Sequence, residues 1–421
     1  MQLNEPRPGT IRGALRAAAC TLLAAGAATV PSNARAAAGD RWNLETATLI
    51  YGEKGGTTIF EPIFRVSRLY TNGQRLSAKL GFDTMTGASA TGAMPSTRPQ
   101  TYTTPSGNQQ TTPAGKIPTR GFHDSRFSTD LAWEAPVGHL VKTNLGGHVS
   151  AETDYQSFGV NGTVSVELFQ RLTTVSLGAG LNHDTVDPVG GTPQALGTGR
   201  EDKGTHPKRV IDGMVGITRV LTRRWLVGLN VGATKEDGYL TEPYKVVSVV
   251  DPEDGEQVGT IAEKRPGKRE RTSILSSSVY HFERDVLYLS HRYYHDSWGV
   301  RSQTIDGRYR LELNEGRYLQ PHVRYYAQTA ADFYTFGLHS GDDLPESASS
   351  DYRLGDMRSS TVGLKYGFPL ASLPGEFSVR GEYIRQWGDQ HPAGAVGAQR
   401  QLELYPTYNI GTLQLGYSVG F

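Results

Sequence analysis

The sequence predicts an all-β protein, a transmembrane antiparallel up-and-down β-barrel of about sixteen strands. Three observations lead to this prediction: the N-terminal residues have the order of a secretory signal peptide, the later segments alternate apolar and polar residues, and the connections between segments sort by length. The C-terminal stretch LQLGYSVGF shows the alternation clearly, because Leu413, Leu415, Tyr417, Val419 and Phe421 fall on one face of a strand.

The N-terminal residues predict a secretory signal peptide over residues 1–38. Two arginines precede an Ala- and Leu-rich run, and the small residues after it have the A-x-A order of a cleavage site, at Ala36 or Ala38. The run is too short and too rich in alanine to span a membrane comfortably. The single cysteine, Cys20, lies inside this leader, so neither disulfides nor cysteine chemistry are expected in the mature domain, residues 39–421.

Composition narrows the class of the mature chain. Hydrophobic residues make up 37% of the 421 residues and mean hydropathy is −0.43, yet there are 50 glycines and 21 tyrosines. The 43 basic and 42 acidic residues nearly cancel, so the low hydrophobicity is not that of a charge-driven disordered chain. No later segment is apolar over the length of a transmembrane helix. A chain of many alternating strands fits a soluble β-sandwich, a β-helix or a membrane barrel.

Individual segments favour the membrane barrel over the sandwich. In RLTTVSLGAGLNHD, the apolar Val175, Leu177 and Leu181 share one face, while hydroxyl, glycine and amide residues share the other. Many outward positions elsewhere are Gly, Ala or Thr, whereas a sandwich core needs larger side chains. Aromatic residues gather near the expected strand ends, as in the interfacial girdles of membrane barrels; these are Tyr155, Phe158, Tyr280, Phe282, Tyr293, Tyr294 and Trp298.

The strand pattern gives an even count of about sixteen, although boundaries read from a sequence shift by a few residues and about fourteen or eighteen strands also fit. The expected strands are 43–51, 58–70, 75–84, 124–136, 140–155, 156–169, 171–184, 207–220, 224–235, 271–283, 286–297, 299–313, 317–330, 355–367, 376–388 and 410–421.

With both termini in the periplasm, the connections sort by length. The short turns TNGQ, FQRL, LTRR, FERD and NEGR fall on the periplasmic side, and the long loops fall outside. The final strand, with Tyr417, Val419 and Phe421, is expected to close the barrel against the first strand and so remove an exposed edge. Its aromatic end resembles the C-terminal signal read by the barrel assembly machinery. The long outer loops are expected at about 85–123, 185–206, 236–270, 331–354 and 389–409.

One loop carries a more specific pattern. The stretch FDTMTGASATGAMPSTRPQTYTTPSG, followed by FHDSRFSTDLAWE, resembles the bacterial family catalogued as domain of unknown function 3570, and GYLTEPYKVVSVVD resembles that family's aromatic-Pro-Tyr segment. His123 departs from the family pattern. The role of the matching residues is not known; they are Asp83, Thr86, Gly87, Ala88, Ser89, Gly92, Thr103, Ser106, Gly107, Phe122, Asp124 and Arg126.

The resemblance implies a secreted outer-membrane β protein of a Gram-negative bacterium and brings no biochemical activity. It also implies neighbouring genes for a flavin transferase, a thioredoxin-like protein and a small lipoprotein, and hence a partner protein in a redox-related envelope system. Outer-membrane lipid and lipopolysaccharide are the expected surroundings. The basic segment EKRPGKRER suits anionic lipopolysaccharide better than nucleic acid, and no nucleic-acid partner is expected.

Strand periodicity places ionisable residues of both signs in the lumen. A charge-selective pore is expected to carry a constriction of one sign, so the balanced set favours a salt-bridged lumen. A barrel of this size is wide enough for an aqueous channel, so the favoured function is porin-like passage of a small solute or a structural envelope role. The alternative is a plugged barrel that binds a ligand or partner through the 85–123 loop. The lumen-facing candidates are Glu61, Arg65, Lys79, Asp83, Arg126, Asp130, Glu134, Lys142, Glu152, Asp154, Arg308, Arg310, Glu312, Arg380 and Glu382.

No catalytic residue, cofactor or metal site is predicted. Ser89, the nearest candidate nucleophile, lies in a Gly- and Thr-rich loop, which fits tightly packed backbone better than a nucleophile elbow. His291 and His295 share a strand face but are about 13 Å apart, too far to hold one ion directly. The acidic stretch HSGDDLPESASSD fits a solvated loop better than a calcium site.

Overall fold

The structure, a computed structural model, describes residues 40–103, 109–201 and 204–421. The expected signal peptide, residues 1–38, lies outside the described residues. Within them, sixteen antiparallel strands follow one another in sequence order around a closed barrel. The prediction of an all-β barrel of about sixteen strands is confirmed.

The barrel strands run nearly the full length expected of them, and several extend a few residues further into the loops. They are β1 (Arg41–Glu53), β2 (Thr58–Leu69), β3 (Arg75–Ala90), β4 (Thr119–Val137), β5 (Val141–Ala151), β6 (Tyr155–Leu168), β7 (Thr173–Val186), β8 (His206–Thr222), β9 (Trp225–Gly238), β10 (Lys268–His281), β11 (Val286–Asp296), β12 (Arg301–Glu312), β13 (Tyr318–Gln328), β14 (Met357–Leu370), β15 (Leu373–Gly388) and β16 (Tyr408–Gly420).

The barrel closes where β16 pairs with β1. Tyr417 lies opposite Thr46 and Val419 opposite Leu44 in an unbroken antiparallel register. Beyond β16 the ladder continues through the C-terminal residue, since the Phe421 N–H donates to the Trp42 carbonyl at 2.9 Å and the Phe421 carbonyl accepts from the Trp42 N–H at 2.7 Å. The first and last strands therefore protect each other's edges.

The two ends of the barrel differ in their connections. We call the end that carries the tight turns 70–74, 138–140, 169–172, 223–224, 282–285, 313–317 and 371–372 the turn end. The opposite end, the loop end, carries the long connections 91–118, 187–205, 239–267, 329–356 and 389–407 together with three short turns.

The outer wall of the barrel is apolar. Leu177, Leu181 and Val215 are more than half exposed, at 63%, 56% and 54%. Along β9 the apolar outward positions run from Trp225 to Ala233, close to the about 9–11 residues that a tilted strand needs to cross a bilayer. Charged outward residues begin beyond this belt, toward the loop end.

Aromatic rings form a girdle at the turn end. Trp225, Tyr280, Phe282 and Tyr309 contact one another in series, with ring centroids 6.5, 4.9 and 6.0 Å apart. A second series joins Tyr366, Phe368, Phe377 and Tyr417. Such rings mark the interface between lipid and water.

Three of the expected girdle residues lie elsewhere. Tyr155 and Tyr294 point into the lumen, where their hydroxyls donate to Asp184 and Asp296. Tyr294 follows the outward Tyr293 directly, so strand alternation places it on the opposite face. Trp298 is only 4% exposed, because a turn at the loop end packs it against neighbouring loops.

The long connections carry small hydrophobic cores and short elements of their own. A three-stranded sheet joins Gln257–Ala262, Val246–Val250 and Leu338–His339. Two short 3-10 helices, Tyr352–Leu354 and Gly397–Gln401, lie in the 329–356 and 389–407 connections. Among the described residues, no helix has the length and apolar character needed to cross a bilayer.

Candidate functional site

The lumen wall is built from ion pairs between neighbouring strands. Arg126 on β4 bonds Asp83 on β3 at 2.6 Å and lies 3.7 Å from Glu61 on β2. Asp83 is 4% exposed and sits directly opposite Arg126 in the strand register. The side chains lock adjacent strands and leave the wall polar on its inner face.

A pocket of about 340 Å³ opens into the turn-end half of the lumen. Glu45, Arg65, Lys79 and Asp130 line it, together with hydroxyl and amide side chains. Lys79 lies 3.3 Å from Asp130, which also bonds the Nδ1 of His148 at 2.6 Å. The pocket thus presents donors and acceptors of both signs.

On the opposite wall, His322 bridges two carboxylates. Its Nε2 contacts Asp306 at 2.8 Å and its Nδ1 contacts Glu382 at 2.9 Å. Arg308 lies 3.2 Å from Asp306, and Arg380 lies 3.8 Å from Glu382. This network joins β12, β13 and β15 near the middle of the barrel.

A second ladder crosses the loop-end half of the lumen. Lys208 on β8 lies 3.6 Å from Asp184 on β7 and 3.7 Å from Glu236 on β9. Arg271 on β10 bonds Glu236 at 2.9 Å. Four consecutive strands are linked by alternating charges, as the balanced composition leads one to expect.

Four long connections, residues 91–118, 239–267, 329–356 and 389–407, pack together at the loop end and form what we call the loop cap. Side chains from three of them share a hydrophobic core, and Phe336 from the fourth packs against it; the core residues are Met94, Val250, Ala395, Leu402 and Leu404. Because each connection starts from a different part of the wall, this core draws the loops together across the mouth.

The second contact within the cap is a buried ionic cluster. Arg265 bonds Glu263 at 2.6 Å and Asp351 at 2.8 Å, and both carboxylates are 1% exposed. Arg353 bonds Asp351 at 2.5 Å and lies 3.7 Å from Glu242. The cluster joins the 239–267 and 329–356 connections at a place closed to water.

The two kinds of carboxylate in this cluster titrate differently. Burial raises the pKa of Glu242 to about 7, against the opposing charges of Arg353 and Arg265. Within the described part of the chain, its buried Oε1 has no hydrogen-bond partner. Burial alone would raise the pKa of Asp351 as well, but the charges of Arg353, Lys245 and Arg265 hold that pKa well below its usual range.

The two family-like segments meet in this cap. Lys245 donates to Ser89 Oγ at 3.3 Å and to the Ala90 carbonyl. The Val246 N–H donates to the Thr91 carbonyl at 2.9 Å, and the Met94 N–H donates to Ser248 Oγ at 2.9 Å. The sequence showed both segments separately, but their contact depends on the path of the loops.

Two motif glycines permit close approaches of neighbouring backbone, one to the turn between β1 and β2 and one to the second family-like segment. Gly87 has φ +136°, and a Cβ there would lie 2.4 Å from the Gly56 carbonyl oxygen. Gly92 has φ +94°, and a Cβ there would lie 2.4 Å from the Val246 carbonyl oxygen. Any larger residue must move backbone at these positions.

The remaining motif residues lie on the β3–β4 ladder, in a short two-stranded sheet where Thr103 pairs with Gln109, or outside the described part. Thr86 pairs with His123, Gly87 with Phe122 and Ala88 with Gly121. Asp124 is 3% exposed, and its Oδ1 accepts from the Ser125 N–H at 2.8 Å. Ser106 and Gly107 lie outside the described residues.

The segment expected to face lipopolysaccharide directs most of its cations inward. Arg265, Arg269 and Arg271 bond Asp351, Asp296 and Glu236 within the cap and lumen. Strand alternation leaves Lys268 facing outward, 77% exposed and 4.0 Å from Asp237. In the folded chain, these three arginines are therefore paired with carboxylates, although the sequence suggested that they were available to a lipid.

The candidate metal positions stay apart. In the described residues, no group of three or more His, Cys, Asp or Glu side chains could hold a metal ion. His291 and His295 both face outward from β11, and His291 contacts Gln303 at 3.3 Å. In the acidic loop, Asp342 lies 3.5 Å from His339 and is 72% exposed.

A family model described as "Protein of unknown function (DUF3570)" matches residues 12–419, nearly the whole chain. The chain belongs to this family. The resemblance carried by the Asp83–Arg126 region is thereby confirmed. In this DUF3570 chain the two characteristic segments form the base of the loop cap.

Similar solved structures come from Pseudomonas aeruginosa. The outer membrane protein OpdK matches with TM-score 0.41 and 8% identity over 91% of this chain and 99% of that chain. OccK3 (OpdO) matches with TM-score 0.40 and 8% identity over 91% and 95% of the two chains, and OccK5 (OpdH) with TM-score 0.41 and 8% identity over 91% and 98%. Among proteins with curated descriptions, none matches this chain.

Proposed function

We propose that the protein lies in the outer membrane of a Gram-negative bacterium and passes a small polar solute through its lumen, with the loop cap controlling entry. The observation that carries the proposal is the 340 Å³ pocket in a lumen lined by charges of both signs. An apolar outer wall and an aromatic girdle support the membrane location. A polar inner wall supports an aqueous path.

The proposal assigns no enzymatic role. A serine nucleophile needs a neighbouring group that can accept its proton. Lys245 lies near Ser89, but its ammonium also donates to the Ala90 carbonyl and lies among the cap carboxylates. These contacts use Lys245 as a donor, which favours a structural link between the loops over a nucleophile–base pair.

A plugged barrel that binds a ligand or an envelope partner is the second candidate. The observation that favours it is the cap's own hydrophobic core, which involves all four loops and includes Met94 of the 91–118 connection. A connection held by both a core and buried ion pairs is costly to displace. The redox-linked partner implied by the resemblance remains a prediction.

Conductance of the detergent-folded mature protein separates the two candidates. The sample is first tested for heat-modifiable gel migration, which reports a folded barrel, and then inserted into a planar bilayer. A matched variant replaces residues 91–118 with a short turn. Steady current in the unaltered protein supports passage, and silence that becomes current in the variant supports the plug. Silence in both, with migration intact, contradicts solute passage.

A further inference from the structure

Two lumen arginines lack the partners that their neighbours have. Arg292 on β11 and Arg324 on β13 are inward-facing and half-buried. Arg126, Arg271 and Arg308 each lie within 4 Å of a carboxylate. Among the described residues, neither Arg292 nor Arg324 makes an ion pair or a side-chain hydrogen bond.

The strand register brings the two guanidinium groups to one patch of the wall. Arg292 pairs with Thr304 on β12, and Thr304 pairs in turn with Tyr326 on β13, two residues from Arg324. The charge of Arg324 acts on Arg292 through space. Thr361 lies opposite Arg324 on β14, and Leu275 lies opposite Arg292 on β10.

The carboxylate directly opposite Arg324 is already engaged. Asp306 lies opposite Arg324 in the register. Its oxygens are taken by His322 at 2.8 Å and by Arg308 at 3.2 Å, with no ion pair to Arg324. Arg324 therefore acts on Asp306 through space, as it does on Arg292, and has no direct anionic partner among the described residues.

Like charges in a half-buried wall repel each other and lose hydration, which makes an anion a favourable occupant. The planar guanidinium group matches carboxylate and phosphate oxygens in a two-point contact. The site lies just below the cap, since Tyr326 donates to Gln328 at 2.5 Å and Gln328 donates to the Gly355 carbonyl of the cap at 2.8 Å.

We propose that Arg292 and Arg324 bind a small oxyanion, a carboxylate or phosphate group, as it enters the lumen beneath the cap. The inference rests on the proposed function, because it names the class of solute that the lumen would pass. The sequence predicted a balanced lumen, and the pairing bears this out around most of the wall. Arg292 and Arg324 are the exception, because strand register, rather than composition, decides which charged side chains form pairs.

Equilibrium binding tests the site apart from transport. The detergent-folded protein is titrated calorimetrically with inorganic phosphate and with succinate, and each variant is first checked for heat-modifiable migration. Arg292→Gln and Arg324→Gln are each expected to weaken binding at least about tenfold, as loss of a charged hydrogen-bond donor predicts. Arg271→Gln is the matched control, because it removes an inward arginine that Glu236 already neutralises.

Binding of either anion that is lost in the two site variants and kept in Arg271→Gln supports the site, and the preferred anion identifies the solute chemistry. No binding by the unaltered protein, or an equal loss in all three variants, overturns it. Binding without bilayer current would support the site and contradict solute passage. Current without binding would support solute passage and contradict the site.

Discussion

Lys245 and Ser89 meet at the loop end of the barrel, although 156 positions separate them in the chain. The Lys245 ammonium donates to Ser89 Oγ at 3.3 Å. One residue belongs to the connection after β9 and the other to the end of β3, so the contact crosses much of the mouth. The two segments that carry the family resemblance in the sequence therefore meet at the base of one cap.

Replacing Gly92 by valine is expected to detach the 239–267 connection. The added side chain meets the Val246 carbonyl in a left-handed backbone position, at a cost of about 1–3 kcal/mol for the strain alone. Trypsin should then cut this connection faster in the folded barrel. Gly394→Val is the control, since nothing lies within 4 Å of a Cβ at that cap residue. Equal cleavage of both variants would show that Gly92 does not hold the cap.

Arg265→Gln is expected to loosen the 329–356 connection. Loss of the guanidinium leaves the buried Glu263 and Asp351 short of positive charge, which typically costs about 3–5 kcal/mol. Hydrogen exchange of residues 329–356 in detergent should accelerate accordingly. Lys235→Gln breaks an exposed pair with Glu270 and should change the free energy derived from hydrogen exchange by less than about 1 kcal/mol. Unaltered exchange in Arg265→Gln would argue against the ionic cluster as a fastening.

Cap closure is expected to weaken as pH rises from 5 to 8. Burial raises the pKa of Glu242 from 4.5 to about 7, so the closed cap binds a proton that the open cap releases. This stabilisation is complete below about pH 4.5 and is lost as pH rises through 7. The lowered pKa of Asp351 acts in the opposite sense, but its effect is lost only below its ordinary value of 3.8.

Hydrogen exchange of the cap at pH 5 and pH 8, corrected for the intrinsic rate, measures this effect. Protection should be greater at pH 5 in the unaltered protein. Glu242→Gln should keep high protection at both values, because an amide mimics the protonated acid. The same pH trend in Glu242→Gln would assign the dependence to another group.

Two aromatic residues of the closing strand are expected to have different roles, Tyr417 in packing and Phe421 in recognition. Phe421 is 71% exposed, so Phe421→Ala should leave the folded barrel's resistance to heat nearly unchanged. Tyr417 packs on Phe377 with centroids 4.5 Å apart, so Tyr417→Ala should lower that resistance. If the aromatic end serves the assembly machinery, Phe421→Ala should reduce the amount of barrel in cell envelopes. Unreduced amounts would remove that role from Phe421.

The number of strands, and the residues that face the lumen or the lipid, could be predicted from the sequence. Alternation along a strand is a local property, so Leu177 and Leu181 identify their face without knowledge of the neighbours. Asp83 and Arg126 could likewise be assigned to the lumen from their own strands. Tyr294 and Trp298 could not be placed by their nearness to strand ends, since the side of the wall and the cover of a neighbouring loop decide their surroundings.

The sequence by itself determined a closed barrel with an apolar outer wall and a polar lumen, because period-two patterning needs only contiguous residues. The tertiary structure decided which loops meet and which charges pair. Lys245 contacts Ser89 and Arg265 pairs with Asp351, whereas Arg292 pairs with no carboxylate among the described residues, although all three cations look alike in the sequence. These outcomes depend on strand register and on the paths of long connections, which bring together residues whose separation in the chain carries no periodic pattern.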